Sequence, residues 1–85
     1  MNNFRIKLTI SDHDNWIYSL TVLPNGNLAG GSLDATIKIW DPNNGSLINT
    51  LSGHNGNVYI LTVLQNGNLA SGSADKTIKI WEPFF

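Results

Sequence analysis

Histidine, serine and aspartate recur in this sequence in an order that could support proton transfer: His13 and Asp34 in the first half, His54, Ser71 and Asp75 in the second. Such a set invites a nucleophile reading, in which an imidazole takes the hydroxyl proton and a carboxylate orients the ring. No GlyXxxSerXxxGly segment is present to lift a serine onto an exposed strand-to-helix turn. Metal binding fares no better, because His13 and His54 stand 41 residues apart and nothing supplies the third and fourth ligands of a zinc site. The chain has no cysteine, and the glycines within residues 26–31 match neither phosphate-binding spacing. The expectation is a protein without catalytic residues, metal or cofactor.

The elements that hold these side chains come in two copies. A shift of 41 residues superposes 60–83 on 19–42 with 18 of 24 pairs identical, and the pairs that differ are 19/60, 24/65, 30/71, 33/74, 35/76 and 41/82. That period suits propeller blades or helical repeats. No segment has the i, i+3, i+4, i+7 apolar spacing of a helix, whereas short β-branched and aromatic runs alternate with Gly and Asn, so the units are strands. AsnGly at 25–26 and 66–67 marks a hairpin in each copy. Strands a, b and c are therefore predicted at 17–23, 28–32 and 36–40, and again at 58–64, 69–73 and 77–81. A tight turn at Asp34 or Asp75 joins b to c, and a fourth strand d is predicted at 47–51. Strand a is apolar on both faces, as a strand covered from both sides would be.

GlyHis at 53–54, LeuAlaSerGlySerAlaAsp at 69–75 and IleLysIleTrp at 78–81 together resemble a WD40 repeat. The first copy resembles it through His13, LeuAlaGlyGlySerLeuAsp at 28–34 and IleLysIleTrpAsp at 37–41. The resemblance runs from about Ile6 to Pro83. It implies an all-β chain of four-stranded antiparallel blades, with strand a innermost and d outermost. It also implies a hydrogen-bonded network of His54, Ser71, Asp75 and Trp81 in the second copy, and of His13, Asp34 and Trp40 in the first. In the first copy Gly30 stands at the place of Ser71 and Asp12 at that of Gly53, with Ser32, of the same strand parity, as a candidate substitute for the serine. The network is read as structural, since buried polar groups need partners and a satisfied set fixes one arrangement.

Residues 6–10 align with strand d at 47–51, which makes the strand order d-a-b-c-d-a-b-c. The whole of 1–85 is expected to be one two-blade unit: residues 1–11 a strand donated to a neighbour, 12–51 the first blade, 52–85 a second blade without its own strand d. Two blades cannot close a ring, and exposed blade faces and a free edge call for company. The expected answer is head-to-tail self-association, with Ile6, Leu8, Ile10, Ile78, Ile80, Phe84 and Phe85 at the subunit interface. Four subunits making eight blades is the first choice and three making six the second.

A formal charge of −1 and five scattered basic residues give little purchase on nucleic acid. No apolar run approaches the ~20 residues of a membrane-spanning helix, and residues 1–7 lack a signal peptide's apolar core, so a cytoplasmic protein without a membrane partner is expected. Family resemblance implies a non-catalytic platform for an unidentified protein or peptide. The candidate contacts are Trp16, Tyr18, Leu33, Asn57 and Tyr59, with Trp16 either anchoring a partner or lidding its blade. The alternatives are a self-assembling scaffold, fragment or designed propeller with no dedicated partner, and a carbohydrate-binding propeller that uses Trp16 and the many Asn side chains.

Overall fold

The computed structural model describes residues 3–12 and 15–83. Seven strands follow one another: β1 (Ile17–Val22), β2 (Leu28–Ser32), β3 (Ile37–Trp40), β4 (Leu47–Leu51), β5 (Val58–Val63), β6 (Leu69–Ser73) and β7 (Ile78–Trp81). The first four form one antiparallel sheet in sequence order and the last three a second. No helix among the described residues is long and apolar enough to cross a membrane.

The turns explain why each copy folds back on itself. Leu23 N–H donates to Asn27 O and Gly26 N–H to Leu23 O, both at 2.8 Å, while the Asn25 side chain accepts from Asn27 N–H at 2.9 Å. Gly26 sits at φ +89°, so Asn supplies a side-chain acceptor and Gly supplies the left-handed backbone. Leu64, Asn66, Gly67 and Asn68 repeat the arrangement. At the next turn the Asp34 carboxylate accepts from Thr36 N–H at 2.9 Å and from its hydroxyl at 2.5 Å, and Asp75 does the same for Thr77. These bonds hold Ala35 and Lys76 at φ +72°, a conformation that side chains normally avoid.

The core lies between the sheets. Ala29, Ile37 and Ile39 of the first pack against Val58, Leu61 and Leu69 of the second, and all are buried. Contact is close: a Cβ on Gly31 would stand 2.7 Å from Val58 Cγ1, so this crossing tolerates no side chain at 31. Where each sheet begins, the pairing shifts between Ile17 and Ser19 and between Val58 and Ile60. Tyr18 and Tyr59 fall at these bulges and are partly exposed.

The expected leading strand is not formed within the chain: residues 3–12 carry no strand, and Phe4, Ile6 and Leu8 are exposed. A strand exists only by pairing, and the edge that 6–10 would complete, β7, belongs to the second sheet. Phe84 and Phe85 lie outside the described residues.

Lys76 keeps its strained backbone only because the Asp75 turn imposes it. Lys76→Gly is expected to raise the unfolding free energy by about 0.5–1 kcal/mol in urea titration, with Lys76→Val moving it the opposite way.

Candidate functional site

The side chains with chemical potential meet at one end of the second sheet. Trp81 Nε1 donates to Ser71 Oγ at 2.8 Å, Ser71 Oγ lies 2.7 Å from His54 Nε2, and His54 Nδ1 lies 2.9 Å from Asp75 Oδ2. One assignment of protons satisfies every atom. The indole N–H donates to the serine oxygen, the serine hydroxyl to Nε2, and Nδ1–H to the carboxylate. β6 and β7 bring Ser71 and Trp81 together across paired strands, while the turn after β6 supplies Asp75 and the loop before β5 supplies His54. Asn55 N–H adds a second contact to Oδ2 at 3.0 Å, and Ser73 Oγ ties the turn to Gly56 O.

Serine, histidine and aspartate thus stand in the order of a hydrolytic triad, but Ser71 and His54 are buried and the serine oxygen is occupied by an indole. Among the described residues no three His, Asp or Glu side chains gather as metal ligands. A hollow of about 540 Å³ between the sheets is walled by Leu23, Ile39, Ile48, Leu51, Leu69 and Trp81 among others, with Glu82 its one titratable residue.

Asp75 is held well below the usual carboxylate range, first by the Thr77 hydroxyl. Burial opposes this, and the Asn55 N–H, His54 and the Thr77 N–H reinforce it. Thr77, Thr36 and Asn55 were not singled out from the sequence. The recurring AspXxxThr of 34–36 and 75–77 was the signal for the two threonines, since a hydroxyl two residues after an aspartate can close on its carboxylate.

The first copy differs from the second at the serine position. Ser32 does not replace Ser71: its hydroxyl accepts from Asp34 N–H at 3.2 Å, the role Ser73 plays toward Asp75 at 3.1 Å. Strand parity could not distinguish these two positions. The Trp40 indole donates instead to Asp12 Oδ2 at 2.9 Å. His13 lies outside the described residues.

The remaining candidates gather where strands β1 and β5 begin. Trp16 is largely exposed and meets Tyr18 edge-on, with ring centres 6.4 Å apart. Tyr18 and Tyr59 lie 4.8 Å apart, and Asn57 Nδ2 donates to Tyr59 Oη. Leu33, half-buried, bonds through its N–H to Trp16 O at 3.0 Å. Ile78 and Ile80 face outward on β7, and Ile10 is half-buried.

A family model described as WD domain, G-beta repeat matches residues 4–41 and 45–82. The crystal structure of the WD40 beta propeller domain of Doa1 is similar, with a TM-score of 0.83 and 28% identity over 89% of this chain and 26% of that one. The computationally designed Ika4 protein is also similar, with a TM-score of 0.73 and 33% identity over 86% of this chain and 44% of its own. The chain thus spans less than half of either. No curated protein matches the sequence.

Ser71→Ala removes a partner from both His54 and Trp81 and is expected to cost about 1–3 kcal/mol in urea unfolding. Because Asp75 is depressed in the folded state, the unfolded chain takes up its proton first. Its contribution to stability is whole above about pH 5 and declines as pH falls below about 4. Urea midpoints measured from pH 6 to pH 2 should fall less steeply in Asp75→Asn than in wild type.

Proposed function

The chain belongs to the WD40-repeat family, and on that premise we propose that it assembles head to tail with its own copies into a closed propeller that serves as a non-catalytic platform for a protein or peptide. The observation that carries this is the unequal burial of equivalent residues. Ile37 and Ile39, 0% and 7% exposed, hold the second sheet, while their counterparts Ile78 and Ile80 are 77% and 56% exposed. Val58 and Leu61, 0% and 7% exposed, receive the first sheet, while Ile17 and Leu20 are 44% and 57% exposed. Gly31 is crowded by Val58, yet Gly72 has nothing within 4 Å of where its Cβ would stand.

The second sheet therefore shows the world the face by which the first sheet grips it, and the first shows a receiving face. Two complementary faces on one unit make a heterologous contact, which closes into a ring when the rotation permits. Residues 6–10, unpaired in their own chain, would lie beside β7 of the next copy as an added strand, as β4 lies beside β3. Four subunits with eight blades is the preferred closure, and three with six the next. Such a ring would repeat Trp16, Tyr18 and Tyr59 around one end, an array of aromatic anchors of the kind that dominates interface energetics.

A second reading, that assembly is the chain's whole activity, is favoured by the near identity of the repeats and by the likeness to a designed protein. Pull-down with the assembled protein separates the two, since a partner lost on Trp16→Ala supports the platform and no partner supports the scaffold.

Native mass measurement at micromolar concentration is expected to find four copies, or three. Gly72→Val should fold as wild type but remain a single chain, because its side chain fills the space a neighbour's Ile17 would take. A wild-type chain that stays monomeric overturns the proposal.

A further inference from the structure

The two repeats solve one local problem differently. In the second, Ser71 in the strand accepts from the Trp81 indole, and the residue before His54 is Gly53, where a Cβ would stand 3.0 Å from Trp81 Cη2. In the first, Gly30 replaces that serine, and a Cβ there would stand 2.8 Å from Trp40 Cζ3. Asp12 replaces that glycine and accepts from the indole. These paired exchanges move the indole's acceptor out of the sheet and into the segment that leads to β1.

That segment contains residues 6–10. Leu8 and Ile10 lie beside Gly45, with side-chain atoms 3.2 Å and 3.6 Å from where its Cβ would stand, and Asp12 ties the segment's end to Trp40. The equivalent stretch in the second repeat, β4, is already fixed by its ladder to β3 and needs no such tie. Residues 6–10 have no ladder in their own chain, and a bond to a charged oxygen is a stronger restraint than one to a hydroxyl.

We propose that Asp12 is a positioning residue for the seam between copies: by gripping Trp40 it holds residues 6–10 beside the turn between β3 and β4, aimed at β7 of a second copy. The proposal rests on the head-to-tail reading above. A strand held near its bound position gives up less conformational freedom when it pairs, so assembly proceeds at lower concentration.

The test uses the full chain, followed by light scattering after size exclusion over a dilution series. Asp12→Ala is expected to raise the concentration for half-assembly about tenfold. Asp12→Asn keeps an acceptor and is expected to stay within about threefold of wild type. Asp12→Gly combined with Gly30→Ser rebuilds the second repeat's arrangement, returning an acceptor to Trp40 while freeing the leading segment. The new Cβ at 30 obliges the Trp40 ring to shift, so urea unfolding of the double variant is measured alongside, and the variant is expected to need about tenfold more protein than wild type to assemble. Should the wild type assemble and Asp12→Ala or the double variant match it, the positioning role is overturned and the head-to-tail reading stands. A wild type that never assembles removes both.

Discussion

The approach of Val58 to the bare Cα of Gly31 sets the distance between the two sheets, and the rest of the molecule is arranged to make that approach possible. With no side chain at 31, β5 settles against β1 and β2, and Ala29, Ile37, Ile39, Leu61 and Leu69 close the remaining space. The inner edge is tied as well, since Leu61 N–H donates to Ser19 Oγ at 3.1 Å across the seam. Apolar burial and a satisfied edge donor thus act together at this seam.

The buried network works on a different link, local conformation. A left-handed residue at 35 or 76 is a standing cost, and the aspartate before it offsets that cost by collecting donors from the threonine two residues later. In the second repeat the same carboxylate continues through His54 and Ser71 to the Trp81 indole, so turn, loop and two strands are locked by one chain of hydrogen bonds. Every link donates toward the carboxylate. This accounts for a triad-like order of residues without an exposed nucleophile: the serine serves as a relay between indole and imidazole.

Much of this was legible in the residues because it is local. AsnGly turns, AspXxxThr turns and a 41-residue period each act within a few positions of themselves, and the observed strand bounds fall within one residue of those read from β-branched runs. Residues 6–10, read from the sequence as a strand for a neighbouring copy, have no partner strand within one chain. Two things were not legible. Ser32 and Gly30 share a strand face, so parity pointed to Ser32 although only distance along the strand decides which reaches the indole. The exchanges at 12/53 and 30/71 were visible in the repeat alignment, but their coupling through Trp40 needed coordinates.

The departures between near-identical repeats acquire a common meaning when sorted by what they touch. Ser19 serves the internal seam, and its counterpart Ile60 is an exposed apolar side chain that offers no acceptor to a neighbour's edge. Gly30 and Asp12 re-anchor the leading segment, where Ser71 and Gly53 serve an outer strand already held by its ladder. If two repeats were identical, a seam within a chain and a seam between chains would be interchangeable, and a copy could dock on either face with equal affinity. Discrimination is a difference between affinities, and it needs a chemical difference between the competing sites. Under the proposed closure the differences at 12, 19 and 30 supply it: the internal seam is polar at its inner edge, the external one is apolar there and depends on a strand tethered by a carboxylate. Closure would also bury all four sheet faces of a chain where the open unit buries two, which for a unit of this size is the most direct source of added stability.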